Sequence, residues 1–192
     1  QMCIRDRDHV IVNDLDVEIP DGKVTSIIGP NGCGKSTLLK ALSRLLAVKG
    51  GQITLDGKNI HTQSTKEIAK KIAILPQSPD VADGLTTGEL VSYGRFPHQK
   101  GFGRLSAEDK AEIDWALRVT GTYDFKHRPI NDLSGGQRQR VWIAMALAQK
   151  TDIIFLDEPT TYLDISHQLE ILELVQELNR EQGCTIVMVL HL

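Results

Sequence analysis

The chain has 192 residues, long enough for one sizeable core or for a core with an inserted subdomain. Its formal net charge of −3 leaves no global basic field that would argue for a nucleic-acid partner, and 41% apolar with 5% aromatic residues suits a soluble α/β protein. No apolar run, Thr185 to Leu190 included, approaches the roughly 20 residues a membrane-spanning helix needs, and no N-terminal apolar region reads as a signal peptide.

In chain order, residues 1 to 8 (QMCIRDRD) show no strand pattern and read as a non-native stretch. Residues 10 to 19 (VIVNDLDVEI) alternate apolar and polar like a half-buried strand, and Pro20-Asp21-Gly22 is a turn. Val24 to Ile28 read as a buried strand. Lys35 to Leu46 read as a helix with Leu38, Leu39, Leu42, Leu45 and Leu46 on one face. Between them Gly29-Pro30-Asn31-Gly32-Cys33-Gly34-Lys35-Ser36-Thr37 fits G-x-x-x-x-G-K-[ST], the phosphate-binding loop of nucleotide triphosphatases, in the strand–loop–helix context that motif requires.

The chemistry of that loop follows from its residue types. Gly29, Gly32 and Gly34 let the backbone curl so that several N–H groups point at one anion, and the helix start adds its partial positive charge. Lys35 can reach the β- and γ-phosphates of a nucleotide, and the Ser36 hydroxyl can coordinate Mg²⁺. The bland alternative, a glycine turn joining strand to helix, does not call for a Lys-Ser pair. Cys33 sits inside the loop; with Cys3 and Cys184 it forms neither a metal nor a disulfide pattern, and a reducing cytosol is the simplest compartment.

Further along, Ile53 and Leu55 before Asp56-Gly57 signal a hairpin. Residues 66 to 71 read as a short helix and Ile72 to Leu75 as a buried strand ending at Pro76. Residues 78 to 105 carry Gly, Pro, His and aromatics with little periodicity. Ser106 to Thr120 reads as a helix capped by Ser106 with Asp109 three residues on. Residues 134 to 149 form another helix, Ile153 to Leu156 a buried parallel strand, residues 166 to 182 an amphipathic helix stopped by Gly183, and Thr185 to Leu190 a last strand. No internal repeat or low-complexity tract interrupts this order. It implies an α/β fold in one domain: a P-loop NTPase core with a mostly parallel sheet (9–76 and 151–192), an N-terminal antiparallel β subdomain, and an inserted α-helical subdomain (77–150).

Two more clusters carry chemistry. Ile153 to Pro159 (IIFLDEP) ends an apolar strand in two adjacent acids, at the carboxyl end where open α/β sheets bind ligands. Successive strand side chains point to opposite sides, so Asp157 and Glu158 take different roles: Asp157 suits Mg²⁺, and Glu158 suits an attacking water as base or orienter. The alternative is an acidic turn after a core strand. Leu133 to Gln137 (LSGGQ) opens a helix with Ser134, Gly135 and Gly136, a second anion-binding helix start; the alternative is an ordinary capped helix with a flexible approach.

The full set resembles the nucleotide-binding subunit of an ABC transporter. The run GPNGCGKST looks like its Walker A motif, Gln77 (in LPQ) its lid glutamine, LSGGQ its signature, IIFLDEP its Walker B motif, Tyr162-Leu163-Asp164 its D-loop and His191 its switch histidine. All stand in the family's order and together cover most of the chain. Pro159 to Gln168 (PTTYLDISHQ), Gly94 to Gln99 (GRFPHQ) and Ser134 to Gln149 look most like the ATPases of ferric-siderophore importers and their cobalamin and haem relatives.

The resemblance implies ATP and Mg²⁺ as ligands and a head-to-tail homodimer holding two ATP molecules. Each nucleotide lies on one subunit's Gly29–Thr37 loop, with Ser36, Gln77 and Asp157 at the metal; Glu158, Gln77, Lys35 and His191 act in hydrolysis, and the other subunit's Ser134, Gly135, Gly136 and Gln137 close over the γ-phosphate. Asp164 organises the dimer interface. Residues 77 to 125, which hold Tyr93, Phe96, Phe102, Trp115, Tyr123 and Phe125, are implied to dock transmembrane permease subunits; packing of the small helical subdomain is the competing use of those rings. The cytoplasmic face of the inner membrane is the implied location, and a periplasmic or lipoprotein substrate-binding protein the indirect partner. The resemblance also implies an adenine-stacking aromatic near the position of Asp6 and further chain beyond His191-Leu192, so the chain reads as a piece of a longer one at both ends. Competing readings are an ABC ATPase of efflux, repair or translation, and a nucleotide-binding module that does not hydrolyse; Glu158 and Gln77 speak against the last.

Overall fold

The computed structural model describes residues 2–6, 9–77, 84–99 and 104–190, with side chains from residue 15 onward. The centre is a parallel sheet of four strands in the order β3-β9-β8-β7, made of β3 (Val24–Ile28), β7 (Ile72–Leu75), β8 (Ile153–Asp157) and β9 (Thr185–Leu190). In register, Ala73 and Leu75 meet Ile154 and Leu156, which meet Ile186 and Met188. The period-2 alternation of a strand then sorts the side chains. Ala73, Leu75, Ile154, Leu156, Ile186 and Met188 enter one core, and Ile72, Phe155, Val187 and Val189 enter the core on the opposite face.

The second face is covered by α1 (Lys35–Leu42), whose Leu39 and Leu42 are buried, and by α2 (Thr65–Ala69), which contributes Ile68. The first face is covered by α3 (Thr87–Ser92), α4 (Ala107–Val119), α5 (Gly135–Ala148) and α6 (Ile165–Gln182). The second half of α5 is apolar all round, with Val141, Trp142, Ile143, Ala144, Ala146, Leu147 and Ala148 buried, as expected of a helix segment packed on several sides. A second, antiparallel sheet joins β1 (Met2–Asp6), β2 (His9–Leu15) and β4 (Gly50–Gly51) in the order β2-β1-β4. β5 (Thr54–Leu55) and β6 (Lys58–Asn59) form the hairpin around Asp56-Gly57. The α/β class with a parallel P-loop core, antiparallel strands and an inserted helical region is the architecture expected.

Four local expectations are corrected. Residues 1 to 8 carry no strand pattern in sequence, yet Met2–Asp6 is a strand paired to both β2 and β4; backbone pairing needs no side-chain alternation. β3 is not a buried strand: it pairs with β9 alone among the described strands, and Ile28 stays 53% exposed. The helix after the loop ends at Leu42, because Arg44 turns left-handed at φ 65 and its Nη1 donates to Gln63 O at 2.5 Å; Leu45 is left exposed. The aperiodic stretch holds α3 followed by a 3₁₀ helix, Tyr93–His98. Gly94 permits that crossing, since a Cβ there would stand 2.2 Å from Met145 O on α5.

The helical region is pinned by polar groups. Arg95, 2% exposed, donates from Nε to Asp109 Oδ1 and from Nη1 to Ala148 O, both at 2.8 Å. Burial pushes the Asp109 carboxyl up, but bonds from Arg95 and Ser106 overcome this and hold it at about 2. Gln149 Nε2 donates to Ala69 O at 2.5 Å and Ile72 O at 3.0 Å, tying the end of α5 back to the parallel core.

Candidate functional site

The glycine loop lies between β3 and α1. Gly32 and Gly34 take positive φ, 75 and 96, so a Cβ would be strained at either position. Gly34 precedes the first helical residue, Lys35. Lys35 Nζ is folded back onto the loop and donates to Gly29 O at 2.7 Å and Pro30 O at 2.9 Å. Cys33 is exposed, with Sγ 3.1 Å from where a Cβ on Gly29 would stand.

The acidic pair comes to the same place by sheet geometry. Asp157 ends β8 in the register of Val189, on the face that carries α1. There Ser36 Oγ donates to Asp157 Oδ1 at 2.8 Å. Burial pushes the Asp157 carboxyl above its usual range; the Ser36 hydroxyl opposes this, and the neighbouring Glu158 charge adds to it. Glu158 leaves the strand at φ 54, a left-handed conformation that costs a non-glycine residue about 1–2 kcal/mol. Its backbone N–H is anchored on Val189 O at 3.2 Å. Its Oε2 accepts from Gln77 Nε2 at 2.5 Å and from Thr161 Oγ1 at 3.1 Å.

Asn31, Gly32, Gly34, Lys35, Ser36, Thr37, Gln77 and Glu158 line one cavity of about 380 Å³. The loop, Gln77 and Glu158 therefore converge although the sequence holds them far apart. The residues fit the expected ligands. Curled backbone N–H groups and Lys35 suit phosphate oxygens. The Ser36 hydroxyl and Asp157 carboxylate are hard oxygen groups of the kind that suit Mg²⁺. Among the described residues no cluster of three or more His, Cys, Asp or Glu could hold a metal ion by itself.

The signature residues are not brought to this cavity. Ser134 caps α5 and Gln137 answers it: Gln137 N donates to Ser134 Oγ at 3.2 Å, and Ser134 N donates to Gln137 Oε1 at 3.0 Å. Ser134 and Gly135 are exposed, Gly136 is buried, and none of the four lines the cavity around Lys35. The turn after β8 runs through Tyr162, 89% exposed, to Asp164, which caps α6. His191 and Phe102 lie outside the described residues. Of the other aromatics between 77 and 125, Trp115 and Phe125 pack against the core. Tyr123 lies under the Arg118 guanidinium at 4.5 Å, while Tyr93 and Phe96 are exposed with ring centroids 5.3 Å apart. The expectation for these rings thus divides between packing and open surface.

Sequence reasoning missed two residues. Thr161 closes a turn onto Glu158, its N–H on Glu158 O at 3.2 Å, and the three-residue spacing after the acid was the available signal. His167 reaches Asp164, again three residues away.

The comparisons agree with this geometry. The profile of the family described as ABC transporter matches residues 12–161. The iron(3+)-hydroxamate import ATP-binding protein FhuC of Bacillus subtilis is 62% identical over 191 residues, 100% of this chain and 71% of that protein. The ferric enterobactin transport ATP-binding protein FepC of Escherichia coli K12 is 51% identical over 183 residues, 95% of this chain and 68% of that one. A dimeric post-hydrolysis structure of an ATP-binding cassette, bound to ADP and phosphate, superposes with a TM-score of 0.80 at 31% identity over 98% of this chain and 84% of that one.

Proposed function

Because this chain belongs to the ABC transporter family, we propose that it is the ATP-binding and ATP-hydrolysing subunit of an importer for iron–siderophore cargo. The observation that carries the reading is the convergence of Lys35, Ser36, Gln77 and Glu158 on one cavity, in a chain alike along its whole length to an iron(3+)-hydroxamate import protein.

ATP is the substrate. The Gly29–Thr37 loop cradles its phosphates, and Lys35 exchanges its two carbonyl partners for phosphate oxygens. Ser36 and Asp157 would hold Mg²⁺, which when bound would neutralise charge on the phosphates. Glu158 orients the attacking water and takes its proton, with Oε2 aimed by Gln77 and Thr161. The signature residues Ser134, Gly135, Gly136 and Gln137 stand away from their own subunit's cavity, which supports their closing on a second copy's nucleotide in a head-to-tail dimer. His191 belongs to the γ-phosphate in the same reading.

Among the described residues no helix is long and apolar enough to cross a membrane. Attachment at the cytoplasmic face of the inner membrane is assigned to permease subunits docking on 77–125, where Tyr93 and Phe96 offer exposed rings. A periplasmic or lipoprotein substrate-binding protein delivers the cargo. The test is reconstitution of the chain with hydroxamate-importer permease subunits in vesicles. ATP hydrolysis is expected to rise when the binding protein carries ferric hydroxamate. Hydrolysis indifferent to loaded and unloaded binding protein would reject the cargo assignment.

A further inference from the structure

One side chain at the start of α6, His167, packs against the start of α5. Asp164 Oδ1 accepts from the His167 backbone N–H at 3.0 Å and stands 2.8 Å from its ring Nδ1, which donates in this arrangement. These two contacts, the backbone N–H first, hold the Asp164 carboxyl below its usual range. The other side of the imidazole roofs the signature turn: a Cβ built on Gly136 would stand 2.4 Å from His167 Cδ2 and 3.1 Å from Nε2. A Cβ built on the neighbouring Gly135 would stand 3.8 Å from Leu163 Cδ2. One turn further along both helices, Arg140 Nη2 donates to Glu170 Oε2 at 2.7 Å, a second side-chain link between them.

We propose that His167 is a positioning residue that locks the signature turn Ser134–Gln137 to Asp164, so that both present themselves to a second subunit as one rigid piece. The inference rests on the head-to-tail reading above and adds to it. Gly136 has an ordinary negative φ, so backbone strain does not demand glycine there. What demands it is the imidazole, which Asp164 keeps from swinging away. The signature turn is therefore shaped from within its own subunit, by a residue that touches neither the loop around Lys35 nor the acids after β8. Nothing in the contact calls for a stabilising role in the core, since the His167 side chain is 43% exposed.

The experiment uses the Glu158→Gln chain and reads the ATP concentration at which half of it is dimeric, by light scattering. ADP affinity of the monomer and the thermal midpoint are followed alongside. His167→Ala is expected to raise the half-dimer ATP concentration about fivefold, the value of one hydrogen bond near 1 kcal/mol, with ADP affinity and midpoint unchanged. His167→Asn, which keeps an N–H donor near the place of Nδ1, is expected to recover part of the loss. Gly136→Ala should raise the ATP requirement less in the His167→Ala chain than in its parent, because the obstructing ring is gone. An unchanged half-dimer concentration in His167→Ala, or a Gly136→Ala defect of full size in both backgrounds, overturns the proposal. So does a joint fall of ADP affinity and thermal midpoint in both His167 variants, which would mark a merely structural role. A Glu158→Gln parent that never dimerises in ATP overturns the head-to-tail reading itself, and this proposal with it.

Discussion

Gln77 donates its side-chain amide to Oε2 of Glu158 across 81 residues of chain. The same oxygen accepts from Thr161 Oγ1 at 3.1 Å, so the carboxylate is gripped from the start of the helical region on one side and from its own turn on the other. The orientation of the Glu158 carboxylate is thereby held by two donors distant from each other in the chain.

Thr161→Val removes one of those grips without touching the phosphate loop. A hydrogen bond to a charged group is worth about 1.5–3 kcal/mol, so kcat for ATP should fall roughly tenfold or more while KM changes little. Thr161→Ser should restore most of the rate. Steady-state kinetics of the three chains decide; a changed KM with kcat intact would mean that Thr161 serves binding instead.

Ser134→Arg tests the separation of the signature turn from the cavity around Lys35. In the Glu158→Gln chain the ATP-dependent dimer should disappear, while the monomer binds ADP as before. Sizing with and without ATP gives the answer. Dimer formation at unaltered ATP concentration would place the signature turn outside the interface.

How much of this was legible in the sequence follows from where the determining contacts lie. The phosphate loop, the acids after β8 and the capped helices are local patterns, and they fold as their spacing says. Ser64 with Glu67, Ser106 with Asp109 and Ser134 with Gln137 all form the reciprocal caps that such spacings signal. Thr86 with Glu89 forms the same cap on α3, yet that helix was hidden by Gly88, Gly94 and Pro97 around it. The partners of Glu158 were half legible: Gln77 through its motif, Thr161 only through the turn that the left-handed Glu158 starts. The half-exposure of β3 and the early end of α1 were not legible, because each depends on a neighbour distant in sequence, β9 for one and Gln63 for the other.

The buried pair Arg95–Asp109 predicts a pH effect. The folded Asp109 carboxyl, at about 2, is depressed below the roughly 3.9 of an unfolded chain. Its contribution is therefore fully present above about pH 4 and is lost as pH falls through about 2, amounting to roughly 2–3 kcal/mol. Asp109→Asn should lower the thermal midpoint at pH 7, and the gap to the parent should narrow between pH 4 and pH 2. Calorimetry across that window checks it; a gap of constant size would show that the pair's charge contributes nothing.

The central claim is that Glu158 is the hydrolytic carboxylate of an ATPase whose nucleotide is held by the Lys35 loop. The most direct measurement is steady-state ATP hydrolysis by the chain and its Glu158→Gln variant in the assembled transporter, with nucleotide affinity measured on both. General-base assistance supplies about 10²–10⁴ in rate, so the variant should lose at least about 99% of turnover while binding ATP as tightly as before. Retention of more than about half the parental rate, against the hundredfold loss that removing a base entails, would contradict the account.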